Sequence, residues 1–358
     1  MLPYFLLFCL VAGFALTNQR TIPKSKNSNF WEAEWWLIFL LLTIMIGMRH
    51  EVGADWEQYL GHVESVRGES FVEALGGKDP ASSLLNWFGS YWGGVYLVNT
   101  ICGVLFSYGL IVFCRGQPLP WLALVIAIPY LVIVVAMGYT RQGVAIGLSM
   151  IALNHLSRDQ ISRFFIWMAI AALFHKSAVI LIPIAILAGS KRKFVTFVFG
   201  GVTAAALFIL LLQESIDFLA YSYLEQDRYD SSGAGIRVAM NALPAVIFLL
   251  LKDRFAMSTA EKKLWTWIAW IAVGFVFLLF LSPSSTAVDR VALYFIPIQL
   301  YVYSRLPIAI GRKIGNKSGW IAILVIYSAT VQIIWLGLGD KSNSWLPYQF
   351  YPWILLWG

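Results

Sequence analysis

Charge is scarce in this chain. Of its 358 residues only 13% are Asp, Glu, Lys or Arg, against 59% that are hydrophobic, and the mean hydropathy is +0.72. Such a composition excludes both a water-soluble globular domain and a disordered one, because each needs far more charge at its surface. Cysteine is also scarce. Cys9, Cys102 and Cys114 lie in or beside apolar segments without metal-ligand spacing, which predicts a packing role and no disulfide. No glycine-rich phosphate loop stands at a strand-to-helix junction, so ATP-driven transport by this chain alone is not expected. Long soluble stretches and low-complexity segments are missing, and without internal repeats there is no ground for inverted-repeat alternating access. No basic residue precedes the first apolar segment and no small-x-small site follows it. That segment is expected to remain as a span, not to be removed as a signal peptide.

What the chain does have is long apolar runs. A membrane span takes about 20 apolar residues, and candidates lie at 2–16, 33–48, 93–114, 121–138, 141–156, 194–212, 236–251, 264–281, 289–304 and 319–338. The expected fold is all-α and polytopic. A single transmembrane domain, 1–358, would carry about ten full transmembrane helices plus a broken or re-entrant helix pair at 161–189. That last stretch is too long for one helix and is interrupted by Phe174-His175-Lys176-Ser177, with Pro183 beyond. Two short helices are expected to meet at His175.

Lys and Arg orient the spans. Loops 17–32, 115–120, 157–163, 190–193, 252–263 and 305–318 alternate onto one side and hold 17 of the 26 basic residues, whereas the other side holds 14 of the 19 acidic ones. By the positive-inside rule the basic side is cytoplasmic. The net charge of +7 then serves anionic lipid head groups, at about 1 kcal/mol per residue near the surface; no aromatic-interleaved basic module points to nucleic acid. The longest extramembrane stretch, 49–92, falls outside. Its apolar pattern (Val63, Val66, Phe71, Val72, Leu75, then Leu84, Leu85 and Phe88) predicts short amphipathic helices roofing a site. A second outer loop, 213–235, is rich in Tyr and Asp and ends in Ser231-Ser232-Gly233-Ala234-Gly235, which suits a mobile lid able to stack on sugars. Outer aromatics such as Trp56, Trp87, Tyr91, Trp92, Trp345, Tyr348, Tyr351 and Trp353 read as the interfacial belt, with a few able to stack on sugar rings.

Residues able to do chemistry gather at the outer helix ends. In Arg49-His50-Glu51-Val52-Gly53-Ala54-Asp55, followed by Tyr59, a glycine between an arginine and a carboxylate lets both face one cavity; the alternative is a salt bridge anchoring the helix end. Arg141, in Tyr139-Thr140-Arg141-Gln142, either snorkels outward or enters the membrane, where a cation costs about 2.5–3.5 kcal/mol and serves an anion or carboxylate. His175-Lys176 is either a plain outer turn or a helix junction at membrane depth, where irregular backbone must line protein or a wet cavity and helix ends favour phosphate. Asp289-Arg290, then Tyr294, is either an ion-pair cap or a further arginine for the same anion. Together Arg49, Arg141, His175, Lys176 and Arg290 converge on the outer leaflet and imply an anionic ligand such as a lipid phosphate.

Taken in order, Arg49-x-x-x-Gly53-x-Asp55-x-x-x-Tyr59, Arg141-Gln142-Gly143-x-Ala145-Ile146, Phe174-His175-Lys176-Ser177-Ala178, Asp289-Arg290-x-x-x-Tyr294-Phe295 and Pro347-Tyr348 resemble the EpsG family of polysaccharide polymerases over almost the whole chain. Lys78-Asp79-Pro80 stands where a Glu-Pro pair is expected. The resemblance implies a Wzy-like polymerase with a membrane-glycosyltransferase (GT-C-like) architecture in the bacterial inner membrane. Polyprenyl-diphosphate-linked oligosaccharides would be donor and acceptor at the periplasmic face, with a chain-length regulator and a flippase as partners. Arg141 and Arg290 would clamp the diphosphate with Arg49 and Lys176, and His175 would donate to the phosphate or handle the proton. Asp55 would be the general base, while Tyr59, Asp289, Tyr294 and Tyr348 would meet sugars. Asp55, Asp79 and Asp289 could hold Mg²⁺ or Mn²⁺ with substrate phosphates, yet cations outnumber carboxylates at the helix ends, which favours a cofactor-free, metal-independent clamp.

Other functions predict other patterns. A lipid-linked glycan flippase needs cations deep in a cavity open to both sides, and an O-antigen-ligase-type transferase would use nearly the same residues with a different acceptor. An acyltransferase would show an intramembrane His with a cytosolic donor channel. A structural assembly subunit would tolerate Asp55→Asn and Arg141→Ala.

Overall fold

The structure, a computed structural model, describes residues 1–18, 31–188 and 233–357 apart from 283 and 315. The expected span 194–212, the basic loop 190–193 and nearly all of the expected lid 213–235 lie outside the described residues. In chain order the elements are α1 (Leu2–Thr17), α2 (Ala33–Gly47), a short strand β1 (Arg49–His50), α3 (Trp56–Ser65), α4 (Phe71–Leu75), α5 (Pro80–Tyr91), α6 (Gly94–Arg115) and α7 (Pro120–Ala127), which runs on as a π-helix (Ile128–Ala136). Next come α8 (Thr140–Leu156), α9 (Ile161–Phe174), a 3₁₀ turn (Lys176–Leu181), α10 (Ile182–Leu187), α11 (Ala234–Leu251) and α12 (Thr259–Leu281). The chain continues with α13 (Ser285–Ala292), α14 (Pro297–Tyr303), α15 (Leu306–Ile314), α16 (Lys317–Leu338), β2 (Gln349–Phe350) and α17 (Tyr351–Trp357).

This is an all-α membrane protein. Among the described residues four helices are long and apolar enough to cross a bilayer, Gly94–Arg115, Ala234–Arg254, Thr259–Leu281 and Lys317–Leu338, and a bent pair would make a fifth. The expectation of about ten full spans is not met among the described residues, where most of the expected spans are shorter or broken helices. With 16 and 15 residues, α1 and α2 rise about 24 and 22 Å, short of a hydrocarbon core of about 30 Å. The expected single span 289–304 is instead two helices, Ser285–Phe295 and Pro297–Gly311, bent by 44°. Pro297 lacks an N–H and crowds the preceding turn, which breaks the ladder there. The expected loop 305–318 holds α15, and Arg305 at its start is buried with its guanidinium donating to the Gln117 side chain. The break expected at His175 is present: α9 ends at Phe174 and the 3₁₀ turn begins at Lys176.

The chain forms two compact units, Met1–Ile151 with Ile170–Lys176 and Tyr303–Gly358, and Ala152–Ala169 with Ser177–Val302. In the first, every side chain from Pro120 to Ala136 is buried, as befits a helix apolar on all sides. Trp121 stacks on Trp35 of α2 at 4.0 Å and on Phe14 of α1 at 4.5 Å. Small residues let helices approach: Gly47 of α2 lies against Thr100 of α6, and Gly109 of α6 lies on the Gly147 carbonyl of α8. The segment after α16 then folds back over the π-helix. Trp345 Nε1 donates to the Ile133 carbonyl at 2.7 Å, and the Tyr4 hydroxyl donates to the Trp345 carbonyl at 2.9 Å. From there β2 pairs antiparallel with β1, setting Phe350 opposite Arg49 and Gln349 opposite His50.

In the second unit α11 and α12 pack side by side, with α13 against both. Tyr301 stacks on Trp265 at 3.8 Å. Asn241 donates to the Ala292 carbonyl at 2.8 Å and accepts from Gln299 at 2.7 Å, so polar groups inside an apolar unit are satisfied in pairs.

Candidate functional site

The site begins where α2 ends and the chain turns into the 49–92 stretch. Gly53 adopts φ +108°, and a Cβ there would meet the Met137 carbonyl at 2.5 Å. Only glycine fits both constraints. Its N–H donates to the Ser344 carbonyl at 2.7 Å, so the returning segment holds the turn from outside. Arg49 holds it from inside. Its side chain is 0% exposed; Nε donates to the Val52 carbonyl at 3.0 Å, Nη1 to the Ile46 carbonyl, and Nη2 to Thr140 Oγ1 at 2.8 Å and Asn99 Oδ1 at 3.3 Å. The guanidinium also lies 5.8 Å from the Trp56 ring centroid. Burial pushes its pKa down to about 10, which leaves it a cation at neutral pH. Arg49 therefore braces α2, the loop turn, α6 and the start of α8 against one another, and no part of it faces open solvent.

Helix α3 presents the next groups. Its spacing buries Trp56, Tyr59 and Val63 on one face, the i, i+3, i+7 pattern of an amphipathic helix. Asp55 is its N-cap residue. The Tyr59 side chain hydrogen-bonds Thr140, and burial, reinforced by nearby Asp55, raises its pKa. One turn on, burial and then the Arg141 charge push the His62 pKa down, opposed by Asp55 and Asp79. His62 is neutral at pH 7, with Nδ1 buried and, among the described residues, without a hydrogen-bond partner.

Asp79 ties these elements together. Its side chain is 4% exposed; Oδ2 accepts from Arg141 Nη1 at 2.9 Å and Oδ1 accepts from the backbone N–H of Lys176 at 3.2 Å. Although it stands at the N-cap of α5, the carboxylate makes no capping bond; both oxygens reach across to the first turn of α8 and to the break after α9. The Arg141 side chain is 31% exposed. The pair is therefore anchored at a buried carboxylate and open at the guanidinium, and it fixes where the guanidinium points.

Of the residues expected from sequence, the first unit brings together Asp55, Tyr59, Arg141 and the half-buried His175-Lys176 turn, with Arg49 behind them. Tyr348 reaches the same region by another route. Its hydroxyl donates to the Met45 carbonyl at 3.0 Å and its ring meets Tyr4 edge-on at 5.4 Å. Asp289, Arg290 and Tyr294 belong to the second unit. There Arg237 grips Asp289 with two bonds of 2.8 Å, Arg290 is exposed and Tyr294 is buried. Among the described residues no three His, Cys, Asp or Glu side chains converge as a metal site.

The sequence profile of the EpsG family matches residues 34–350. The chain belongs to the EpsG family. No curated protein and no solved structure matches it. The matched stretch of this EpsG-family protein runs from α2 to the last residue of β2, and so takes in the Arg49 turn, Asp79, Arg141, the His175 break and the returning segment. Sequence reasoning missed three residues that this geometry singles out. Asp79 stands out in the sequence as a departure in Lys78-Asp79-Pro80 and as a carboxylate able to hold a metal, not as the partner of Arg141; His62 is an isolated histidine on an amphipathic helix, and Arg237 follows the glycine-rich end of the expected lid. Only the first carried a signal before its partners were known.

Proposed function

We propose that this EpsG-family protein is a polysaccharide polymerase of the bacterial inner membrane, joining polyprenyl-diphosphate-linked repeat units at the periplasmic face. Family membership supports a glycosyltransferase-like polymerase of polysaccharide biosynthesis, and the four long apolar helices support a membrane one. The observation that carries the mechanism is the Asp79–Arg141 pair, which holds a partly open guanidinium between the start of α8 and the Lys176 turn.

In this reading a hydroxyl of the acceptor unit attacks the anomeric carbon of the donor. The bond from that carbon to the diphosphate oxygen breaks, and its electron pair leaves with the diphosphate. Arg141 meets the developing charge, with Lys176 as a further cation and His175 donating to the phosphate. A preorganised donor of this kind is worth about 10²–10³ in rate. Asp55 takes the hydroxyl proton as general base. Arg49 is a positioning residue, since its guanidinium is spent on Val52, Ile46, Asn99 and Thr140. In the first unit Tyr59 and Tyr348 are assigned to sugar contacts.

The test is polymer length on a gel for Asp55→Asn, Arg141→Ala and His175→Ala, each checked for normal expression and supplied with purified lipid-linked repeat units. Single units without a ladder are expected. Normal ladders from all three variants would sink the reading and favour transport or a scaffold role.

A further inference from the structure

A cavity of about 220 Å³ lies between α3, the end of α5 and the start of α6. Val63, Glu64 and Arg67 line it with Ser90, Tyr91 and Gly94, and none of Asp55, Tyr59, Asp79, Arg141 or His175 does. Among the described residues neither Glu64 nor Arg67 forms an ion pair or side-chain hydrogen bond, in contrast to Arg49, Arg141 and Arg237. Gly94 has φ +58°, and a Cβ there would meet nothing within 4 Å, so the backbone itself forms an open wall.

We propose that this cavity is a subsite for one pyranose ring of the glycan substrate. The inference rests on the polymerase reading above. The volume falls below the roughly 300 Å³ at which drug-sized pockets begin, which limits the occupant to about one ring. The exposed Glu64 carboxylate and Arg67 guanidinium supply acceptors and donors while their charges cancel, so the cavity suits a neutral polyhydroxylated ring. A phosphate would meet Glu64 as a like charge. The exposed Tyr91 ring offers its face to sugar C–H groups, and Val63 supplies an apolar floor.

The experiment titrates the full-length protein in nanodiscs with the repeat-unit oligosaccharide released from its lipid carrier, by calorimetry. Wild type, Arg67→Ala, Glu64→Gln and Arg141→Ala are compared, and KM for lipid-linked units is measured in parallel. Binding at least tenfold weaker in Arg67→Ala and Glu64→Gln, with the loss of turnover falling on KM, is expected; Arg141→Ala should bind the oligosaccharide as wild type does. Should Arg67→Ala fold poorly, the near-isosteric Glu64→Gln decides. Unchanged binding in both cavity variants overturns the subsite, as does loss of a co-purifying phospholipid from Arg67→Ala with KM unaltered, which would make the cavity a head-group site. If Arg141→Ala still polymerises while oligosaccharide binding depends on Arg67 and Glu64, the subsite stands and the catalytic reading falls.

Discussion

The two carboxylate oxygens of Asp79 bind two elements at once, Arg141 through Oδ2 and the Lys176 N–H through Oδ1. Replacing it by Asn keeps the shape but removes the charge that aims Arg141. Polymer yield is expected to fall about 100-fold, and the melting temperature in detergent to fall as well, because a buried carboxylate with two hydrogen bonds loses about 1–3 kcal/mol when one is broken. A ladder assay beside a thermal melt separates the two effects. His62 gives a pH signature. Burial and then Arg141 hold its pKa below the unfolded value of about 6.5, against the pull of Asp55 and Asp79, so the unfolded chain binds the proton more readily. Stability is unaffected above that value and falls as pH drops below it. Melts from pH 7 to pH 5 should show a decline that His62→Gln flattens. Arg141 was legible in the sequence because a cation at the start of an apolar helix stands out. Its partner was not, since Asp79 lies 62 residues from Arg141 and 97 from Lys176, and helix packing alone decides which distant groups meet.

At the scale of elements, periodicity and punctuation were readable wherever they were local. Of the apolar pattern expected in 49–92, Val63 is buried on α3 whereas Phe71, Val72, Leu75 and Phe88 are exposed, and a polar run followed by Pro183 marked the break at His175. The π-helix at Ile128–Ala136 was not readable, because a wholly apolar run fits any helical pitch. Turns carry the sharpest element-level test. Gly53 and Gly68 both have positive φ, +108° and +90°, yet a Cβ at Gly68 would meet nothing within 4 Å whereas one at Gly53 would meet Met137. Gly68→Ala is therefore expected to cost only backbone strain, about 1–3 kcal/mol. Gly53→Ala should cost more and abolish the ladder although it touches neither Arg49 nor Asp55. Melting temperatures of the two variants, side by side, check the ranking.

For the whole molecule, hydropathy found helices at every candidate span within the described residues but not their lengths, because a run of apolar residues does not show where a helix will stop. Lys and Arg placement makes a claim about sidedness that thiol labelling can test. In a variant lacking Cys9, Cys102 and Cys114, Lys341→Cys is expected to react with an impermeant reagent on intact cells, and Lys263→Cys only after permeabilisation. The reverse pattern would invert the orientation. One further consequence concerns biosynthesis. Arg49 pairs with Phe350, and at about 5–20 residues per second the ribosome delivers the second roughly 15–60 s after the first. Through that interval the nascent chain has Arg49 and Gly53 but neither strand partner nor Ser344. The clasp closes only near the end of translation, so a product of premature termination lacks it.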